Sequence, residues 1–563
     1  MRGIRCVMAV LLATCVVPAL AEEAATEVTV LTADTIRTMD PARPVASAMA
    51  FDDAGEILAV GEAGALLARW PGATRLELGG ATVVPGLIDA HGHVAGLGQA
   101  RLRVGLEGTR DKAEVIARLR EFAATLPPGE WLLGRGWDQN DWPDQAFPTA
   151  ADLDAAFPDR PVWLERIDGH AGWANSAALR AIGQALDADG TRGAWQPPGG
   201  RIVRDAQGRA TGVLVDGAMA LVDGVLPAMD VDAAERALVR GMEEAVRHGL
   251  TGVHDAGVSL LQMQAYRNLA DRGEMPLRIH AMADGDSEAL AWLCRDGAYR
   301  HPGGRLQMRA VKLYVDGALG SRGAALLEDY ADDPANRGLV LMSPGQLDDV
   351  ATRARDCGIQ VATHAIGDRG NRLVLDAYAA ALAGHPGLRW RIEHAQVLAP
   401  EDLPRLAALD VIASMQPTHA TSDMPWAGDR LGPDRIHGAY AWRSLRDSGA
   451  RLALGSDFPV ESVDPRLGLY AAATRANAAG EPAGGWLPGE LLTPFEALRG
   501  FTRDAAWAGF AEGDVGTLAE GMRADFVVLA QDPLGIPATR LDDLQVLSTW
   551  LDGRPVYRSI DRK

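Results

Sequence analysis

Eight short apolar runs between residues 83 and 459 constrain this chain more than any other feature. They are "VVPGLIDAHGH", "TGVHDAG", "LRIHAMA", "QMRAVKLYVDG", "IQVATHAIGD", "LRWRIEHAQ", "VIASMQP" and "ARLALGSDFP". Runs that are apolar almost throughout read as strands buried on both faces, which is the habit of parallel sheets. Helical patterns such as "GNRLVLDAYAAALAGH" (370–385) and "PEDLPRLAALD" (400–410) lie between the later runs. Eight strand–helix alternations predict an α/β fold, a closed (β/α)8 TIM barrel. The rival is an open doubly wound sheet, and no glycine-rich dinucleotide fingerprint supports it.

Both ends of the chain read differently from the middle. "ATEVTVLTAD" (25–34) and the short runs after it suggest strands, as do "GTLAEGMRADFVVLAQDP" and "QVLSTWLDGRPVYRS" near the carboxyl end. A small β-sandwich made from the two termini would bury their apolar faces together. Between the first and second barrel strands the chain is too long for a simple crossover. This stretch, including "RGWDQNDWPDQAFPTAADLDAAFPDRPVWLERIDGHAGWANSAAL" (135–179), reads as an inserted lid. The expected organisation is a signal peptide over 1–21, a first sandwich part over 22–82, and a barrel over 83–509. The lid occupies approximately 103–235 of that barrel, and a second sandwich part follows over 510–563.

The signal peptide rests on Arg2 and Arg5, an apolar stretch, and "ALA" at 19–21. It predicts an exported protein, periplasmic or secreted, with no membrane span in the mature form. Loss of residues 1–21 removes two cations and no acids, taking the formal charge from -20 to -22. That balance disfavours nucleic acid and anionic membrane as partners and is compatible with a small-molecule substrate. Two of the four cysteines leave with the signal. Cys294 and Cys357 could form one disulfide but are expected as separate thiols.

The chemistry is concentrated at the strand ends. Residues i and i+2 of a strand share a face, so His91 and His93 can meet one cation. In a barrel the carboxyl ends of different strands converge, which would bring His364, His394 and Asp457 to the same mouth. Nitrogen and carboxylate donors of this kind suit zinc and also admit manganese, iron, cobalt or nickel. Lys312 lies inside an apolar strand, where an ammonium is costly and its pKa falls. A neutral amine there could add carbon dioxide and become a metal-bridging carbamate. An ordinary lysine reaching a loop fits the sequence equally well. His254, beside Asp255, could line the mouth, and His170 could reach it from the lid. His419 and His437 flank a loop holding Trp426 after the seventh strand and could lie on the substrate side. Trp137, Trp142, Trp173 and Trp426 could supply apolar pocket walls, with plain packing as the alternative.

Taken in order, these segments resemble the amidohydrolase superfamily, in particular amidohydrolase family 3. That branch includes YtcJ-like proteins and N-substituted formamide deformylases. "VVPGLIDAHGH" resembles the family's first-strand metal motif, and "VKLYVDGALGSRGA" its lysine segment. "THAIGDRGN", "RIEHAQ" and "GSDFPV" resemble its fifth, sixth and eighth strand segments, and "GTLAEGMRADFVVL" its return to the terminal β-domain. The resemblance implies two zinc ions. His91, His93 and Asp457 would hold the more buried one, His364 and His394 the other, and carboxylated Lys312 would bridge them. A homodimer is a further implication. The implied activity is hydrolysis of an amide C–N bond, in an N-formyl or N-acyl amine, by metal-activated hydroxide. Asp457 would shuttle the proton, and His170 or His254 would assist at the oxyanion. A lactonase or esterase, or a cyclic amidine deaminase, could use the same centre. A solute-binding module or a non-enzymatic relative would not need every ligand position filled, and every one is filled.

Overall fold

The computed structural model describes residues 27–559, apart from 128, 167–170, 184–185, 187–194, 198–199, 227–228, 286–287 and 321. The expected signal segment and His170 therefore lie outside the described residues. Eight parallel strands form a nearly closed barrel: β1 (Leu87–Gly92), β2 (Leu250–Val258), β3 (Arg278–Asp284), β4 (Leu306–Tyr314), β5 (Gln360–Ala365), β6 (Arg391–His394), β7 (Ile412–Met415) and β8 (Arg451–Leu454). Each pairs with its neighbour in sequence. All eight predicted runs contribute a strand.

Alternation along β4 explains where its lysine points. Val311 and Leu313 join the large core that packs sheet against helices. Ala310 joins Ala256, Met282 and Ala362 in a small separate cluster, one residue from each of β2 to β5. Lys312 shares the face of Ala310, so it projects into the barrel. The helix Val231–Arg247 leads into β2 and buries one stripe, from Ala234 through Leu238 and Met242 to Val246. Against it lies the helix Val94–Arg101, which follows β1 directly. Glycines permit this close crossing. A Cβ on Gly98 would stand 1.7 Å from the Ala237 carbonyl oxygen, and one on Gly241 2.2 Å from that of Val94. The Val94 amide also donates to Asp255 Oδ1 of β2, at 2.8 Å. The exit from β1, where His93 sits, is thereby anchored from two sides.

Asp89 completes the closure between β8 and β1. Its Oδ1 accepts from the amides of Ser456 and His91, each at 3.0 Å, and its Oδ2 from the Ser456 hydroxyl at 2.6 Å. Two backbone bonds continue the seam. The Asp457 amide donates to the His91 carbonyl at 2.7 Å, and the His93 amide to that of Phe458 at 2.8 Å. Burial pushes the Asp89 carboxyl up to about 7 despite the hydrogen bonds from Ser456.

The two ends of the chain meet in one seven-stranded sheet. Strand Thr74–Pro85 pairs in parallel with Val28–Arg37 and antiparallel with Phe526–Leu529, and the pairing runs on continuously through both ends. The sequence anticipates a sandwich from the termini; the pairing establishes this one shared sheet. The long insertion carries its own six-stranded sheet within 104–216. Trp137, Trp142 and Trp173 are not pocket walls. They are fully buried in that sheet's core, with ring centroids 6.0–6.2 Å apart. Each indole N–H donates to a backbone carbonyl: that of Leu164, Thr109 and Thr149 respectively. No helix among the described residues is long and apolar enough to cross a membrane.

One expectation is overturned. Cys294 and Cys357 are not separate thiols but a disulfide, with their Cα atoms 5.1 Å apart. It ties the helix Glu288–Asp296 to the end of Pro344–Asp356. The sequence hid this because 63 residues separate the two positions. A loop of that size corresponds to about 4 kcal/mol of stabilisation through the unfolded chain. Urea unfolding with and without reductant should therefore show a lower midpoint for the reduced protein, and Cys294→Ala should match the reduced form.

Candidate metal centre

Asp457 is the hub of the barrel mouth. Its Oδ1 lies 3.0 Å from His93 Nε2 and 3.6 Å from His91 Nε2, and its Oδ2 lies 3.7 Å from His419 Nε2. One donor atom each from His91, His394 and Asp457 falls within 4.8 Å of the others, a spacing that could surround one cation. His364 stands just outside this triple. Its ring packs edge-on against His394, with centroids 4.5 Å apart. Its Nε2 is buried, has no hydrogen-bond partner among the described residues, and lies 3.6 Å from Asp316 Oδ1. Lys312 Nζ is 3.1 Å from His91 Nε2 and 4.8 Å from the centre of the Tyr314 ring.

Outer contacts fix which nitrogens face inward. His91 Nδ1 pairs with Glu393 Oε2. His93 Nδ1 lies 2.9 Å from the Ala256 carbonyl oxygen, and His394 Nδ1 2.8 Å from Gln416 Oε1. An imidazole that donates from Nδ1 keeps its lone pair on Nε2, the form a metal needs. The His419 Nε2 atom is also buried without a hydrogen-bond partner among the described residues. Buried polar atoms seldom go unpaired, so orphaned nitrogens beside a carboxylate fit a site built for a cation.

Electrostatics point the same way. Burial, reinforced by the Lys312 charge, pushes His91 down to about 4 and His364 down to about 3. Burial and neighbouring His364 hold His394 well below the ordinary imidazole range. These three are neutral near pH 7, as metal ligands must be. Burial opposes a charge on Asp457, but the His93 hydrogen bond and nearby His91, His394 and His419 hold it well below the usual carboxylate range. Burial also opposes a charge on His93, yet its bond to Asp457 raises it. Lys312 is pushed down to about 8, chiefly by burial, with Glu393 and Asp457 opposing.

Two backbone positions carry strain here. His394 has φ 73° and Asp457 has φ 63°, both in the left-handed region. Such conformations cost about 1–3 kcal/mol each and cluster at functional sites. They turn the last residue of β6 and the residue after Ser456 toward a common centre.

The structure thus brings together His91, His93, Lys312, His394 and Asp457, with His364 alongside. It does not bring His254 to the mouth. That ring is buried within the barrel against His280, with centroids 4.9 Å apart, and its Nδ1 lies 2.8 Å from Arg391 Nη1. It lines a cavity with Arg278, Leu306 and Gln307, residues at the starts of β3 and β4. Sequence reasoning passed over Glu393, Arg391 and Gln416. The signal was present in "RIEHAQ", where two charged residues alternate on a strand too buried to carry them without partners.

Residues 76–557 match the model described as the amidohydrolase family. The chain belongs to the amidohydrolase family. Over 499 residues it is 36% identical to YtcJ of Bacillus subtilis (strain 168), spanning 86% of this chain and 91% of that protein. It is 30% identical over 540 residues to the N-substituted formamide deformylase of Arthrobacter pascens, spanning 92% of this chain and 96% of the other. A solved metal-dependent hydrolase from Pyrococcus horikoshii OT3 superposes with a TM-score of 0.74 at 28% identity, covering 91% of this chain and 99% of that one. This amidohydrolase is therefore a hydrolase of the metal-dependent kind, and its buried His and Asp donors suit a divalent cation.

Asp457→Asn tests the hub directly. Asparagine tolerates the left-handed backbone, so the fold should persist by circular dichroism. Zinc affinity measured by chelator competition should fall at least about tenfold, the lower bound for losing a partner in a metal site.

Proposed function

We propose that this amidohydrolase cleaves the C–N bond of a small amide, of the N-formyl or N-acyl amine class. The observation that carries the reading is the setting of Asp457. One of its oxygens faces His91 and His93, and the other faces His419. A carboxylate so divided can serve a metal with one oxygen and a proton with the other. The printed name of the Arthrobacter relative, an N-substituted formamide deformylase, supports the substrate class.

In this reading His91, His93 and Asp457 would hold one zinc ion, and His364 and His394 a second, with Lys312 between them. Bound there, a divalent metal lowers the pKa of water from 15.7 to about 7 and polarises a carbonyl oxygen. The chain's own residues handle the proton. Asp457 accepts one from the attacking water and returns it to the amide nitrogen as the C–N bond breaks. One water is consumed, and a carboxylic acid and an amine are released. His419 Nε2 stands 3.7 Å from the far oxygen of Asp457, on the side where that proton would be carried.

Lys312 is read as a carbamate. Its neutral amine forms an N–C bond to carbon dioxide and releases one proton. Burial supports this, since a lysine held near about 8 is partly neutral at ordinary pH. The substrate's outer part is read as apolar. Tyr314 ends β4, the Leu341 amide donates to the Val315 carbonyl just past it, and Val460 lies beyond β8; they leave 38%, 58% and 70% of their surface exposed. Export is supported by the Cys294–Cys357 disulfide, because such bonds persist in oxidising compartments.

The test is a screen of N-formyl, N-acetyl and cyclic amides with zinc-loaded protein, with aryl esters as the control. Turnover of N-formyl or N-acetyl amines is expected; activity confined to aryl esters would sink the amide reading. Lys312→Ala should lose at least one metal and most activity, with partial rescue by short carboxylic acids. At a fixed concentration of dissolved carbon dioxide, decarboxylated protein should regain metal uptake faster above about pH 8 than below it, because the neutral amine is the reacting form.

A further inference from the structure

Within β6, Arg391 and Glu393 stand two residues apart on the same strand face, both fully buried. Glu393 takes both of its oxygens to the Arg391 guanidinium. Arg391 then reaches the Ala90 carbonyl at 2.5 Å, the Ser414 hydroxyl at 2.6 Å and His254 Nδ1 at 2.8 Å. One side chain thus spans β1, β2, β6 and β7 inside the barrel.

Stability alone is a weak account of this pair. Replacing a buried ion pair with apolar groups of the same volume is often neutral or stabilising. What an apolar pair could not do is meet an imidazole. Glu393 Oε2 also contacts His91 Nδ1, and His91 Nε2 then faces Lys312 Nζ and Asp457 Oδ1. His93 and His394 meet neutral acceptors instead, a backbone carbonyl and a glutamine oxygen.

We propose that Glu393, clamped by Arg391, is a positioning residue that locks His91 in the Nδ1–H tautomer and aims its Nε2 lone pair at the metal. The proposal rests on the reading of this mouth as a metal centre. Arg391 neutralises the carboxylate and fixes its angle, so the imidazole gains an anionic acceptor without an unpaired charge in the barrel. His254, placed by the sequence at the reacting mouth, takes a different part as one of the groups that hold Arg391.

Cobalt(II) loading provides the test. Wild-type protein should bind cobalt and show a visible absorption spectrum of its ligand field. Glu393→Gln keeps the size but not the charge. It should bind cobalt about 10–100-fold more weakly, with a shifted spectrum. Glu393→Asp, which keeps the charge, should recover part of that loss. Cys294→Ala, which removes a disulfide between two helices and touches none of these groups, should lower the unfolding midpoint while leaving cobalt affinity unchanged. Histidine-nitrogen NMR of the zinc-loaded wild type should report His91 with its proton on Nδ1, a measurement that needs no variant to fold. Unchanged affinity and spectrum in Glu393→Gln would overturn the positioning role, as would equal weakening in Cys294→Ala or an Nε2–H tautomer. Wild type that takes up neither cobalt nor zinc would overturn the metal reading itself.

Discussion

Asp89 holds together the first and last strands of the barrel, and the rest of the site depends on that seam. It binds the Ser456 amide and hydroxyl on one side and the His91 amide on the other. Asp89 and Ser456 are 367 apart in sequence. Asp457 follows Ser456, so the seam sets the distance between this carboxylate and the imidazoles of β1. Gly455 makes room for it. A Cβ there would stand 2.5 Å from Asp89 Oδ1 and 2.6 Å from the His91 amide nitrogen. A metal centre drawn from the first and last strands of a barrel needs such a rigid junction, because a loss of register of about one ångström would separate its donors.

The mouth is also an economy of charge. Burial keeps His91, His364 and His394 neutral. The His93 hydrogen bond, with His91, His394 and His419 nearby, keeps Asp457 ionised against that burial. Lys312 is weakened as a cation by the burial that an apolar strand imposes. Each effect follows from removing water around groups that face one another. Left-handed backbone at His394 and Asp457 adds strain that only the surrounding packing can sustain. The family relation and the chemistry thus meet on a common physical ground: donors desolvated, deprotonated and pre-aimed.

Much of this was legible beforehand. The eight apolar runs predict eight strands because a strand buried on both faces has no polar alternation to blur it. "HGH" at 91–93 and "GSD" at 455–457 stand out because polar groups that close such runs are rare without a use. Other elements were less legible. Trp137, Trp142 and Trp173 read as possible pocket walls with core packing favoured, since aromatic character does not say which side of a sheet it faces. Cys294 and Cys357 gave no spacing signal, because their pairing depends on two helices lying side by side. Arg391 and Glu393 were visible as charges in a buried strand. Their partner, His91, lies some 300 positions earlier.

What the sequence determined by itself was the list of parts: eight strands, the order of their polar end residues, and the donor chemistry of imidazole, carboxylate and amine. Those follow from local periodicity and residue type, which need no partner to be read. Only the tertiary structure decided which donors meet and which nitrogen each presents. It also decided that His254 turns to Arg391 inside the barrel while His419 turns to Asp457 at its mouth. The reason is geometric. A side chain's role depends on strand register and on contacts across hundreds of residues, and neither is written in the residues beside it.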